Sequence, residues 1–318
     1  MMPSRRGFLI GGGAVAVGGR AAQAQSSGRL AVTGARPTIF YAPLIACVTF
    51  LKKQGVEATF HWLGSTPMLD GFRNGTVDVI QSAVSSYWTL ADRGETAIPV
   101  HIAEINRRDG FFLLRRGEGP AFDWRQLEGK TIVAELGGQP AYMLRYALSY
   151  NKVDVSKVRL VDGGTGAALR TAFRSGIGDF GHFQGATAQQ IELDGEGKIV
   201  VSVGAAMPEV AFSTVCCLPG FVEKPFYRPF LTAFAQAKAW AHSTPAREVA
   251  DNVAPQFSGE SLQAMVKAVE AYQQLGCWSG PLGISKAHYD QALTVFRSAG
   301  AVKGVYAFEQ ACIPPPPL

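Results

Sequence analysis

The chain has 318 residues, with 30 lysines and arginines against 25 acids, a formal charge of +5 and a 47% share of hydrophobic residues. That apolar content excludes a disordered chain away from the ends. Charged residues make up only 17%, and the basic ones are scattered, without an arginine-rich run or a basic and aromatic alternation, so nucleic acid is not an expected partner.

At the amino end, Ser4-Arg5-Arg6-Gly7-Phe8-Leu9-Ile10 sets two arginines directly before an apolar, glycine-rich stretch that runs to Val17. This is the pattern of a twin-arginine export signal, and it predicts a periplasmic protein. Ala22-Gln23-Ala24 offers the small residues that a signal peptidase needs, which places cleavage before Gln25 and makes residues 1–24 the signal peptide. A membrane anchor is the competing reading, but the apolar run falls well short of the ~20 residues that cross a bilayer. Removing 1–24 takes away Arg5, Arg6 and Arg20 and no acid, which lowers the formal charge from +5 to +2. The signal sets the compartment and leaves the activity open.

What remains is long enough for two domains, each with a core of its own. The five cysteines, Cys47, Cys216, Cys217, Cys277 and Cys312, form no C-x-x-C pair and have no histidines at zinc spacing. Adjacent Cys216 and Cys217 alternate across a predicted strand and are poorly placed to bridge each other. For Cys277 and Cys312 two readings stay open, a disulfide or buried free thiols, and the second is favoured.

From Leu30 short β-rich runs alternate with helical patterns. A strand over 29–34 leads to a helix over 41–53, then a strand over 58–63, a short helix over 67–73, a strand over 77–81, a helix over 85–92 and a strand through 98–105. This is the rhythm of a mainly parallel sheet covered on both faces. It restarts after 111–116, with strands at 131–134, 158–162, 177–183 and 198–203 and helices ending near Tyr150 and Arg174. A further extended segment spans 211–218, after which helices are predicted over 227–242, 245–252, 259–275 and 285–299. The economical arrangement has the chain cross from one lobe to the other near Phe111 and return near Phe212, with the closing helices packed on the first lobe.

Four segments, in this order, carry a family likeness: Tyr41-Ala42-Pro43-Leu44-Ile45-Ala46, Phe72-Arg73-Asn74-Gly75-Thr76-Val77-Asp78-Val79, Leu127-Glu128-Gly129-Lys130-Thr131-Ile132-Val133 and Ala172-Phe173-Arg174-Ser175-Gly176-Ile177-Gly178-Asp179. Together they resemble the periplasmic substrate-binding proteins of the nitrate, sulfonate, taurine and thiamine-precursor group, the NMT1 or SsuA-like family. The family's usual G-F-F-E-E-x-G segment is replaced here by Phe50-Leu51-Lys52-Lys53-Gln54-Gly55. The resemblance implies an α/β periplasmic-binding-protein fold of type II, with two doubly wound α/β lobes joined by a two-crossing hinge. Lobe 1 would comprise 25–112 and 216–318, and lobe 2 would comprise 113–215. It further implies a monomer that captures a small molecule and docks on an ABC permease of the inner membrane.

In open α/β sheets, ligands sit at the carboxyl ends of strands, where helix N-termini present free N–H groups. By that rule Tyr41, with Thr38 and Phe40 nearby, is a ligand-binding candidate, though it equally suits a hydrophobic residue closing the first helix. Ser82, Ala83 and Ser85 follow the third strand and can hold an oxyanion or simply cap a helix. Gly138 and Gln139 open the first helix of lobe 2, where a missing side chain allows close approach. Gly163-Gly164-Thr165-Gly166 reads better as a turn. His182, Phe183 and Gln184 mix a polar and an aromatic wall, and no serine, cysteine or carboxylate can be paired with His182 from sequence to make it catalytic. Asp78 and Asp179, each in a G-x-x-D turn, read as structural. No catalytic residue, cofactor or metal is expected, since neither ligand spacing nor a G-x-G-x-x-G fingerprint is present.

Two other functions fit less well. A pyrimidine-synthase-like enzyme of thiamine biosynthesis resembles the same family, but its C-C-C-F-C motif is missing, with only Cys216-Cys217 present, and an export signal suits it poorly. A periplasmic ligand sensor for a signalling system would look the same in its lobes. Serines, glycines and helix N-termini favour an anionic ligand, while Tyr41, Trp62, Phe111 and Phe183 favour an organic, aromatic body. No arginine is evidently placed to clamp a carboxylate or sulfonate, so a neutral or heteroaromatic compound stays open.

Overall fold

The computed structural model describes residues 28–318, so the expected signal peptide at 1–24 lies outside the described residues. The first run of elements is β1 (Leu30–Gly34), α1 (Ala42–Lys53), β2 (Ala58–Trp62), α2 (Met68–Arg73), β3 (Val79–Ser82), α3 (Ser85–Asp92) and β4 (Val100–Asn106). The second is β5 (Phe111–Arg115), β6 (Thr131–Ala134), α4 (Gln139–Tyr150), β7 (Arg159–Asp162), α5 (Ala167–Arg174), β8 (Phe180–Gln184), α6 (Thr187–Leu193) and β9 (Lys198–Ser202). After β10 (Ser213–Cys217) come α7 (Tyr227–Ser243), α8 (Ala246–Val253), α9 (Leu262–Gln274), α10 (Lys286–Ser298) and the short α11 (Phe308–Ala311). The starts of α9 and α10 are set by side chains: Ser261 Oγ accepts from the Ala264 N–H at 3.2 Å and Ser285 Oγ from the His288 N–H at 3.0 Å. Such a cap contributes about 1 kcal/mol.

Two five-stranded sheets result, ordered β2-β1-β3-β10-β4 and β7-β6-β8-β5-β9. Each has three parallel strands at one edge, but β10 runs antiparallel to β3 and β4, and β5 runs antiparallel to β8 and β9. The sheets are therefore mixed rather than mainly parallel, because the strand next to each parallel trio is one that adjoins a crossing between the sheets. All seven residues of β4 are buried, as a strand covered on both faces requires. Its polar members are hydrogen-bonded: His101 Nδ1 lies 2.7 Å from Thr214 Oγ1, Glu104 Oε1 lies 2.8 Å from His288 Nδ1, and Asn106 donates to the Phe40 carbonyl at 3.0 Å.

The two sheets repeat one another in detail. Asp78 accepts from the backbone N–H of Ala31 at 2.9 Å, and Asp179 accepts from that of Thr131 at 2.8 Å. Each aspartate thus ties the turn before the third strand of its parallel trio, β3 or β8, to the start of the first, β1 or β6. Both are structural.

The chain passes between the sheets through 107–110 and again through 203–212. Strand β10 pairs with β3 and β4 from Ser213 onward, so the return to the first sheet precedes the expected boundary at 215/216, which would cut this strand. The closing helices do more than cover the first lobe. Helix α7 packs on α1, while α9 also meets α6 and α10 meets α4 in the second half of the fold. Among the contacts that result, Tyr272 OH donates to the carbonyls of Gly110 and Gly185 at 3.0 and 3.3 Å, and Tyr142 meets Phe296 edge to face at 5.2 Å.

All five cysteines are free and buried. No described helix is long and apolar enough to cross a membrane.

Candidate functional site

A cavity of about 470 Å³ opens between the two sheets, within the roughly 300–1,000 Å³ typical of small-molecule sites. Its walls come from chain segments that follow strands, as the rule for open α/β sheets requires. Arg36 and Thr38 follow β1, and Trp62 ends β2; Glu135 follows β6, Gly166, Ala167, Leu169 and Arg170 come from the start of α5, and Phe183 to Thr187 follow one another from the end of β8. Residues 256–260 and Met265 of the closing helices complete it.

Arg36 and Glu135 meet across the cleft. The guanidinium donates to both carboxylate oxygens, at 3.0 and 2.9 Å, the bidentate geometry that makes such pairs strong and directional. Burial alone would lower the pKa of Arg36, but the hydrogen bonds and charge of Glu135 raise it above the ordinary arginine value. Arg170 is held by Asp194 and lies 3.8 Å from Glu196. Glu260 accepts from Thr187 Oγ1 at 2.9 Å, so it too joins the closing helices to the second half of the fold.

The apolar walls are aromatic. Trp62 and Phe257 sit 5.7 Å apart on one side, and the Trp62 indole N–H donates to the Gln256 carbonyl at 3.1 Å. This placement of Trp62 depends on Gly34, since a Cβ there would fall 2.2 Å from the indole ring. Phe111 and Phe183 contribute to the lining from the second half of the fold.

Of the residues expected to bind ligand, Phe183 and Gln184 line this cavity. His182, one residue away on β8, is buried and stacks on Phe111 at 4.5 Å, with neither ring nitrogen hydrogen-bonded. Burial pushes its pKa down to about 3. It lies one ring behind the wall rather than on it. Tyr41 is also buried, with its hydroxyl 3.5 Å from Ser213 Oγ, and burial pushes its pKa up.

Ser82, Ala83 and Ser85 lie outside the cavity lining. The N-cap of α3 is Val84, without a side-chain cap, so neither serine caps this helix. Gly138 is the N-cap of α4 at φ 69° and ψ −147°, a left-handed region that favours glycine. Gln139 donates its side-chain amide to the Phe212 carbonyl at 2.9 Å and so holds the return crossing.

Sequence reasoning missed Arg36, Glu135, Arg170, Phe257 and Glu260, and it found no arginine in the cleft where two are present. Arg36 had a usable signal, because it follows β1 as closely as the rule that selected Tyr41 demands. Phe257 and Glu260 had none, because they reach the cavity from the closing helical region.

A larger depression, about 750 Å³, lies at the amino ends of β6 and β8. Its arginines are committed to backbone carbonyls: Arg115 to Gly119 and Pro120, Arg116 to Gly178 and Ile177. Being at the wrong end of both strands and without an aromatic wall on each side, it is the weaker site.

No family model matches the chain. It is similar to YtlA of Bacillus subtilis (strain 168), named as a binding protein, at 26% identity over 271 residues that cover 83% of this chain and 81% of that one. Among solved structures it is similar to the periplasmic aliphatic sulphonate binding protein SsuA of Escherichia coli, with a TM-score of 0.70, 16% identity and coverage of 90% and 98%. It is also similar to the desulfurization enzyme DSZB, with a TM-score of 0.62, 14% identity and coverage of 90% and 97%. At these identities the structural likeness shows the fold, and the chain has the two-lobed α/β fold of the periplasmic binding proteins, with two chain crossings between the lobes.

Proposed function

We propose that this protein is a non-catalytic solute receptor, the substrate-binding component of an ABC uptake transporter, which closes its lobes on a small organic molecule in the periplasm. The observation that carries the reading is the cavity between the sheets, walled by segments that follow strands of both and bridged by the Arg36–Glu135 pair. The similarity to a named binding protein and to a sulphonate-binding protein supports it. The twin-arginine pattern at Arg5-Arg6 supports export. Residues 28–106 and 213–318 would make up one lobe and 111–202 the other, the protein working as a monomer.

The enzyme reading draws on one neighbour, since the same fold serves DSZB. Against it, no histidine or cysteine stands on the cavity wall among the described residues, so the usual nucleophile and base pairing is missing where a substrate would sit. Native mass spectrometry of protein purified from a periplasmic extract tests the proposal. A co-purifying small molecule, released on denaturation and taken up by cells only when the gene is present, is the expected result. Turnover of that molecule by the purified protein would contradict it.

A further inference from the structure

We infer, resting on the cleft reading above, that the bound solute presents a cationic or N–H-rich group, such as an amine or amidine, on a flat apolar body, and that the cleft rejects simple oxyanions. The charges on the wall lead to this. Both cations that line the cavity are matched before any ligand arrives: Arg36 by two hydrogen bonds to Glu135, Arg170 by Asp194 and Glu196. Of the two acids, Glu260 has no lysine or arginine within ion-pair distance among the described residues, and only its Oε1 is occupied, by Thr187. The cavity is left with one uncompensated carboxylate.

Arg36 is 39% exposed and keeps N–H groups that Glu135 does not use, but an oxyanion that reaches them meets a guanidinium whose charge Glu135 already balances. Displacing Glu135 instead would strand a carboxylate that is 11% exposed. A cation or N–H donor meets Glu260 Oε2 without disturbing the pair. Behind Gly185, Gln189 is 3% exposed and its amide oxygen has no donor. A Cβ on Gly185 would fall 2.8 Å from that oxygen, so the missing side chain keeps the acceptor close to the wall. Trp62 and Phe257 both line the cavity, and aromatic rings attract a planar cation. The first turn of α5 also lies on the wall; its free N–H groups are the one feature of the wall that favours an anion, and in this reading they take a neutral acceptor such as a ring nitrogen.

The test is calorimetry of the mature protein with pairs that differ in charge but little in size: benzamidine against benzoate, and benzylamine against benzenesulfonate, with nitrate as the smallest anion. The cationic members should bind on the order of 100-fold more tightly than the matched anions. Glu260→Gln should weaken benzamidine about 10-fold or more, and Glu135→Gln, which frees Arg36, should raise benzoate affinity about 10-fold. Tighter binding of benzoate, benzenesulfonate or nitrate to the wild type would overturn the inference and leave the receptor reading standing. Binding of neither charge class would remove both together.

Discussion

His182 lies flat on Phe111, ring centres 4.5 Å apart and planes 17° from parallel, with both imidazole nitrogens buried and unpartnered. A buried polar group without a partner costs roughly 1–3 kcal/mol. His182→Phe should therefore stabilise the protein by about 1 kcal/mol, seen as a higher denaturant midpoint with an unchanged slope. The acid side should change as well. Burial holds the folded pKa down at about 3 against an ordinary 6.5, so the wild type loses stability as pH falls from about 6.5 toward 3, at up to 1.4 kcal/mol per unit. The variant should lose that part of the slope. If its stability is unchanged but ligand affinity falls, His182 acts directly on the ligand instead.

Asp109 sits in the first crossing, fully buried, with Oδ1 accepting from the Phe111 N–H at 2.6 Å and Oδ2 unpartnered. Burial pushes its pKa up from 3.8 to about 7, the Phe111 hydrogen bond opposing. A raised carboxyl pKa means the folded state holds the proton more tightly, so its stabilising effect is full below about 4 and is lost as pH rises through about 7. Asp109→Asn should flatten the stability profile between about pH 4 and 7 and make the protein more stable than wild type at pH 8, as measured by urea unfolding. An unchanged profile would show that another group sets it.

The indole of Trp62 occupies the space that a side chain at position 34 would need. Gly34→Ala should push the ring out of its place beside Phe257, lowering ligand affinity about 10-fold or more while the far-UV spectrum stays that of the wild type. Calorimetry with the native ligand checks this. Equal affinity would mean that Trp62 does not bear on the ligand.

Burial pushes the Cys312 and Cys217 thiols up to about 12, so neither ionises at neutral pH. A thiol reagent should leave all five cysteines untouched in the native protein and count five after denaturation without reductant. A count of three would reveal a disulfide, and Cys277 with Cys312 would be the pair to examine first.

Much of the fold was legible because it rests on local patterns. Each predicted strand and helix has a counterpart, with ends displaced by a few residues, and the G-x-x-D turns announced the two aspartates that tie first and third strands together. The antiparallel placement of β5 and β10 was not legible, since sheet order depends on contacts between distant segments. The site was read in part. Phe183 and Gln184 end a strand at the cavity, as the carboxyl-end rule predicts. Gln139 misled because its amide meets a backbone carbonyl 73 residues away. Glu260 was invisible because its place depends on α9 meeting α6. Arg36 and Glu135 each follow a strand, yet their pairing spans 99 residues.

The central claim is that the cleft between the lobes binds a small solute, and its most direct measure is thermal unfolding of the mature protein with and without candidate solutes. A true ligand at 100 times its dissociation constant should stabilise by ~2.7 kcal/mol, and Trp62→Ala, weakening binding about 10-fold, should cut this to ~1.4 kcal/mol at that concentration. A shift that survives unchanged in Trp62→Ala, or no shift from any solute alongside catalytic turnover, would contradict the account.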